Sequence, residues 1–300
     1  IAKAAMTTAT VAAAGRLNDQ QFAEFIRLVQ EEPTLLGDVR IQPMASHTAK
    51  LESLEFGGRI TFKPTEGVAA SPEQRGSLNA SKVELHAVEI QCEVSLTHSL
   101  REENLMRDNL DDYVRDRMVQ RFALDLQDLM VLGDLQSTDP FLATLDGLLE
   151  QAVTHVIDHT SSPIAVTDDA FYDGFVRLPA RFRRDKRNLR IYCNSDVIAA
   201  FNKYLAGRET SIGDIRMVDG TEKTFWNGIE LYEVTSVPPS KYLLTNRKNI
   251  VLGVFREVYP YTEEQPSARQ TLYGLTMRVD VKYAEETAVV KCQGLNPSGS

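Results

Sequence analysis

The chain has 300 residues, 43% of them apolar and 25% charged, which is material for one or two cores with appendages and excludes global disorder. Its 42 acidic residues outnumber its 33 basic ones, and the formal charge of −9 repels phosphate, which argues against tight general nucleic-acid binding. No apolar run reaches the roughly 18 residues that a membrane-crossing helix needs, and the small-residue opening at 1–15 lacks the charged region and apolar block of a signal peptide.

Residues 19–32 predict a short amphipathic helix, with Phe22, Phe25, Ile26 and Val29 at helical spacing and Pro33 as its stop. From 35 to 49 the helical period is lost. Gly37, Pro43 and the alternation of Val39 with Ile41 point to an extended arm lying on another surface, with little core of its own. Residues 51–63 and 83–96 read as the strands of a long hairpin around a soft tip at 64–80, which holds Gly67, Pro72, Gly76 and Asn79. In the second strand Val83, Leu85 and Ala87 alternate in one phase, and Val88, Ile90, Cys92, Val94 and Leu96 in the other. A change of phase by one residue turns the apolar face over, so a bulge or bend is expected near Ala87.

The strongest helical pattern covers 108–132. Leu110, Val114, Met118 and Phe122 recur every four residues, Leu126, Leu129 and Met130 carry the stripe onward, Asp108 or Asn109 can cap its start and Gly133 can end it. Arg115, Arg117, Arg121 and Asp128 mark the opposite face as charged, the pattern of a helix packed on a sheet along one side. Residues 140–237 alternate helix and strand: a helix at 169–185, a buried strand at 189–193, a helix at 195–205 capped by Asn194 or Ser195, a polar loop at 207–223 and a strand at 229–234. That is a compact α/β lobe. The last quarter is strand-rich, with one strand at 250–261, a second in which Tyr273, Leu275, Met277, Val279, Val281 and Tyr283 alternate, and a third at 288–292 after the turn at Glu285 and Glu286. The long helix is the partner such a sheet needs, so 101–139 and 246–292 are expected to form one domain with the lobe inserted between them.

Cys92, Cys193 and Cys292 are about a hundred positions apart, each in an apolar, strand-like stretch. An odd and widely spaced set fits reduced core thiols better than a disulfide framework or a zinc site.

This order of elements resembles the HK97-like major capsid proteins of tailed bacteriophages. The stretch LTHSLREEN at 96–104, followed by DDYVRDRMVQRF at 111–122, is similar to that family's entry into its spine helix. Residues 132–148, with Gly133, Asp134, Asp146 and Gly147, are similar to the helix end and the passage into the family's A domain. RNLRIYCNSDVIAAF at 187–201 is similar to the A-domain strand and helix, and 280–295 to the closing strands of the P domain. The resemblance runs from about residue 35 onward and rests on the order and spacing of these motifs. It implies an α+β fold with an N-terminal arm at 1–50, an extended hairpin called the E-loop at 51–100, a P domain at 101–139 and 246–295 and an A domain at 140–245.

The resemblance also implies a structural subunit rather than an enzyme, in which the E-loop and the arm reach over neighbouring subunits. Its partners would be itself as hexamers and pentamers, then scaffold, portal and decoration proteins. It would enclose double-stranded DNA without sequence-specific binding, in a virion assembled in the host bacterial cytoplasm and with no membrane partner. An encapsulin-type nanocompartment shell, which encloses protein cargo, shares the fold and is the alternative. A hydrolase or transferase of α/β type is a third reading, and it would need a convergent catalytic set that the sequence does not display.

The chemistry-bearing patterns are sparse. Neither a P-loop nor a dinucleotide fingerprint occurs, and no Ser nucleophile elbow. His155 and His159 stand four apart around Asp158 and would share one helix face, where a third metal ligand at useful spacing is lacking. No catalytic, cofactor-binding or metal-binding residue is therefore assigned. Arg181, Arg183, Arg184, Lys186 and Arg187 are the densest basic cluster, read as a solvated helix face with intersubunit ion pairs. Arg59, Lys63, Glu66, Glu73 and Arg75 on the hairpin are the other candidates for contacts with adjacent subunits. Some relatives of the family join an E-loop Lys to a neighbour's Asn through a catalytic Glu. Lys63 and Lys82 are the lysines in that region, and no matching Asn and Glu motif accompanies them, so covalent cross-linking is not expected.

Overall fold

The computed structural model describes residues 35–56, 61, 78–98, 110–207 and 223–298. The helix expected at 19–32, most of the hairpin tip and most of the loop at 207–223 lie outside the described residues.

Alternation of β-branched and aromatic residues with polar ones extends the backbone and gives each strand an inner and an outer face. β11 (Ile250–Gln265) and β12 (Gln270–Tyr283) make an antiparallel hairpin from Ile250 opposite Tyr283 to Gln265 opposite Gln270, with a register shift between Phe255 and Tyr259. β12 pairs on its far side with β4 (Val88–Thr97), and β11 pairs in parallel with β1 (Arg40–Met44), which gives a four-stranded sheet in the order β1-β11-β12-β4. The edge strand β1 corrects the reading of 35–49. That stretch lies on its own chain: Leu35–Gly37 is a 3-10 turn with both leucines buried, and β1 follows it into the sheet. A segment this short carries no period of its own, and its order comes from the surface it covers.

The bend expected near Ala87 is present. β3 (Leu78–His86) pairs with β2 (Thr48–Phe56) in a two-stranded ribbon, and beyond Ala87 the chain continues as β4 in the larger sheet. The hairpin is thus shorter at its base than expected, because Ile90, Cys92, Val94 and Leu96 face the core under β12 instead of pairing with the first hairpin strand. Ala87 donates its N–H to the carbonyl of His47 at 2.9 Å, and His86 donates to Asp280 Oδ2 at 2.7 Å.

α1 (Leu110–Leu132) is a 23-residue helix, roughly 35 Å long at 1.5 Å per residue. Met118, Phe122, Leu126, Leu129 and Met130 pack in one cluster with Leu96, Tyr273, Leu275 and Met277 of the sheet and with Tyr192, Val237 and Leu243 of the lobe. Burying such side chains fully stabilises by about 1.5–3 kcal/mol each. The single stripe holds only for the first half of the helix. At 126–131 every residue except the half-buried Asp128 is buried, and Asp128 accepts the Ser236 hydroxyl. Arg115, expected on the charged face, is half-buried with its guanidinium 5.6 Å from the Tyr273 ring centre.

The lobe is built on a six-stranded sheet: β5 (Val156–Asp158), β13 (Val289–Gln293), β10 (Lys241–Asn246), β7 (Leu189–Cys193), β9 (Ile229–Glu233) and β8 (Thr224–Trp226), in that spatial order. β6 (Ile164–Ala165) and β14 (Leu295–Asn296) pair in parallel beside it. The place of β13 is a correction: the third strand of the last quarter pairs with β10 and β5 instead of extending the β11–β12 hairpin. Its two faces serve two cores, with Val289 in the helix cluster and Val290 and Cys292 in the lobe cluster. Cys193 and Cys292 are buried and Cys92 half-buried, all three free thiols. Burial pushes the Cys193 thiol well up and Cys292 to about 12.

α2 (Leu148–Gln151) follows the long helix. The helix expected at 169–185 is two pieces, α3 (Asp168–Arg177) and α4 (Ala180–Arg183). Pro179 cannot donate to the ladder and drives Leu178 to an extended ψ of 132°, and Arg183 covers the freed acceptors by donating to the carbonyls of Leu178 and Val176. α5 (Ser195–Ala206) begins as expected, with Asn194 Oδ1 accepting from Asp196 N at 3.1 Å.

Gly133 and Gly147 close the passage from α1 to α2 back to back: Gly147 N–H donates to the Gly133 carbonyl at 2.8 Å, and a Cβ on Gly147 would lie 2.6 Å from Gly133 N and 2.8 Å from the Val131 carbonyl oxygen. Both contacts are backbone and cannot swing aside. Gly147→Ala is predicted to cost about 1–3 kcal/mol, read as a lowered thermal midpoint, while Gly207→Ala, whose added methyl meets nothing closer than 3.6 Å among the described residues, leaves the midpoint near that of the parent.

Candidate functional site

The first surface of interest is the junction of α1, the lobe and residues 35–39. Gln127 is 2% exposed and stands in the enclosed stretch of α1 at 126–131. Its Oε1 accepts Leu35 N–H at 2.8 Å, and its Nε2 donates to Ser236 Oγ at 3.0 Å and Thr235 Oγ1 at 3.3 Å. One amide therefore joins the start of the described chain, the long helix and the turn after β9. Asp38 adds a second tie. It accepts the Tyr192 hydroxyl at 2.8 Å and pairs with Arg190 at 3.1 Å, while Arg190 also reaches Glu230 at 3.0 Å and Glu230 meets Lys223 at 2.9 Å. Burial raises the Asp38 carboxyl above the usual range, against the lowering by Tyr192, Arg190 and Arg247. Burial also pushes the Tyr192 phenol up, as does the adjacent Asp38. These groups hold the segment down; none of them is presented to a ligand.

The second is the root of the β2–β3 hairpin. Met44, Leu85, Val251 and Phe255 form a small core of their own there. His47 stacks on Phe255 with ring centres 5.1 Å apart, and Arg278 lies between His47 Nε2 and Glu89, each at 3.1 Å. Asp280 is 4% exposed, its carboxyl raised by burial and lowered in part by the His86 N–H that it accepts.

The third is the outer end of the lobe. Arg181 pairs with Glu285 and donates to Thr287 Oγ1 at 3.3 Å, and Arg183 is committed to the carbonyls that follow α3. Both are held within the chain. Arg184 and Arg187 are exposed, and so is Arg181, so what sets Arg181 and Arg183 apart within the basic cluster is their bonding to their own chain. Lys186 donates to Asn227 Oδ1 at 3.3 Å. Beside it, Asp168, Asp169, Tyr172, Leu205, Phe225 and Trp226 line a groove of about 420 Å³. Arg59, Lys63, Glu66, Glu73 and Arg75 lie outside the described residues.

The two spaced histidines do not share a helix. His155 and His159 flank the edge strand β5, where the His155 carbonyl accepts from Lys291 N and His159 N–H donates to the Gln293 carbonyl. Strand pairing with β13 overrides the helical reading, since Val156 and Ile157 satisfy a short strand equally well. Gln127, Asp38 and Asp280 were not singled out from sequence, because nothing in the local pattern marks a polar residue whose partner is 92 or 194 positions away.

No family model matches the chain. It is 31% identical over 303 residues to the protein called "Putative prophage capsid protein YqbE" of Bacillus subtilis (strain 168), an alignment that covers 97% of this chain and 96% of that one. This chain belongs to the phage capsid proteins. Its fold is HK97-like: a chain of the satellite phage P4 procapsid including size determination (Sid) protein superposes with a TM-score of 0.71 at 14% identity over 96% of this chain and 95% of that one. The capsid of a native GTA particle gives 0.65 at 12% identity over 88% and 90%. The SrpI encapsulin of Synechococcus elongatus PCC 7942 gives 0.57 at 11% identity over 87% and 86%, so a nanocompartment shell is the weaker match in fold.

In this capsid protein Gln127→Ala is predicted to cost about 1–3 kcal/mol for the buried Leu35 N–H left without its acceptor, measured as a lower urea midpoint. The segment at 35–39 should also exchange its amides faster. Asp38 has the opposite sign from an ordinary ion-paired carboxylate. Because its folded pKa is raised, the stability it contributes is full below the unfolded value and is lost as pH climbs through the folded value. The stability difference between the parent and Asp38→Asn, followed from about pH 3 to 7, should therefore move in the variant's favour as pH rises.

Proposed function

We propose that this capsid protein builds the icosahedral shell of a tailed phage from hexamers and pentamers of itself, enclosing a double-stranded DNA genome, and that it catalyses nothing. The observation that carries this reading is the whole-length likeness to a prophage capsid protein, at 31% identity. The geometry supports it. The β2–β3 ribbon pairs with no other described strand, and a two-stranded ribbon is marginal in water by itself. Of its described side chains, Ala49, Leu51 and Leu85 reach a core, at the root. A ribbon built this way is completed by an adjacent subunit. In that arrangement Arg59, Lys63, Glu66, Glu73 and Arg75 of the E-loop meet the neighbour's surface, and the residues before Leu35 extend the contact. Contacts that are heterologous and close on themselves give a shell rather than a fibre.

The charge of −9 suits a container that holds packed DNA without gripping it. Scaffold, portal and decoration proteins are the further partners in this proposal, with assembly in the host bacterial cytoplasm and residence in the virion. The division into arm, E-loop, P domain and A domain is part of it too, with β13 spanning the two domain cores.

The test is electron microscopy of the full chain expressed alone and with candidate scaffolds, with nuclease-protected DNA assayed in native particles. Rings of five or six, or closed shells, are expected, and native particles should protect DNA of genome length. A chain that remains monomeric or dimeric under crowding and with scaffold contradicts the proposal, and shells that protect protein cargo but no DNA would move it to the nanocompartment reading.

A further inference from the structure

The groove at the outer end of the lobe is chemically unusual for this chain. It lies between the first half of α3, the end of α5 and the edge strand β8, and it combines carboxylates at Asp168 and Asp169 with the rings of Tyr172, Phe225 and Trp226. Tyr172 is 57% exposed and Phe225 45% exposed, among the most open large apolar side chains described. Carboxylates beside exposed rings make a receptor for guanidinium: the carboxylate takes its N–H groups and the ring face takes its charge. The chain already uses the ring half of this chemistry internally, with Arg190 4.8 Å from the Tyr232 ring centre, Arg181 4.4 Å from that of Phe182 and Arg183 5.6 Å from that of Phe175.

A matching donor stands next to it. The turn after α4 carries Arg184 and Arg187, both exposed, and Lys186 anchors that turn to Asn227 on the groove's rim. Opposite charges therefore sit side by side beside β8, the last strand in the described order of that sheet. We propose that Asp169 and the exposed rings of Tyr172 and Phe225 in the groove of one subunit receive Arg184 and Arg187 of a second copy of the chain. This deepens the shell reading and rests on it, since both halves of the contact are present on every subunit and repeat with each copy added. A nucleic acid fits the groove poorly, because its phosphates would face Asp168 and Asp169.

The chain carries its own reporter. Trp226 is its single tryptophan and lines the groove, so its emission reads occupancy. The experiment compares the full-length parent with Asp169→Lys, with the pair Arg184→Glu and Arg187→Glu, and with all three changes together, by sedimentation of assembled material and by Trp226 emission at matched concentration. Each one-sided reversal is expected to lower the assembled fraction on the order of tenfold, since it sets like charges against each other. The three changes together should restore assembly to within about twofold, and the emission change on assembly should return with it. Should Asp169→Lys lower the thermal midpoint, Asp169→Asn replaces it, with a smaller loss of assembly that high salt does not deepen.

One-sided reversals that assemble like the parent overturn this contact alone. So does a combined variant as impaired as the one-sided ones while all midpoints agree. A parent that never assembles overturns the shell reading and this contact with it.

Discussion

The structure depends on the burial of one helix by two sheets. The second half of α1 is enclosed at 126–131, with the four-stranded sheet contributing Tyr273, Leu275 and Met277 and the lobe contributing Tyr192, Val237 and Leu243 to the same core. Enclosure on that scale brings Gln127 and Asp128 in with the apolar residues, and a buried polar group without a partner costs about 1–3 kcal/mol. Their partners are the Leu35 N–H and the side chains of Thr235 and Ser236. The demand for satisfaction thus fixes two segments that burial of Leu35, Leu36, Val39, Val234 and Val237 already draws to this core. Residues 35–39 are held by the burial of Leu35, Leu36 and Val39 and by the Leu35 N–H that Gln127 accepts, and Asp38 adds its ties to Arg190 and Tyr192.

From that junction follows a division of labour that suits a shell wall. The α1 sandwich and the lobe share cores, since β13 gives one face to each, so they act as a single plate. Among the described residues the hairpin joins the plate at its root, where β3 hands over to β4 at Ala87 and Asp280 holds the His86 N–H. A plate with a projecting ribbon extends each contact beyond what a compact body reaches, and the lobe's far end offers charges of both signs along one edge. Repeating both features on every copy is what a closed assembly of one chain requires.

The elements with a strong internal period were legible from sequence. Recurrence every four residues marked α1, alternation marked β12, and the change of alternation phase marked the joint at Ala87. What was lost had no local period or had two. Residues 35–44 take their structure from Gln127 and β11, so their pattern looks like an arm. Val289, Val290 and Cys292 are apolar on both faces, so alternation could not say which sheet β13 joins. Pro179 is a helix stop whose signal is obscured by Phe171, Phe175 and Phe182, which sustain an apolar rhythm across it. The basic cluster was visible as a cluster, but which arginines are bonded within the chain depends on Glu285 and on carbonyls freed by that break. The groove could not be seen at all, since its walls come from 168–172, 201–205 and 225–227.

The most direct test of this account is a cryo-electron microscopy map of the assembled shell at a resolution that traces the chain. It should show residues 40–44 of each subunit paired in parallel with its own β11, Gln127 on its own Leu35, and the β2–β3 ribbon lying over the adjacent subunit. A map in which the strand beside β11 comes from a neighbour, or in which the ribbon folds back on its own subunit, would contradict it.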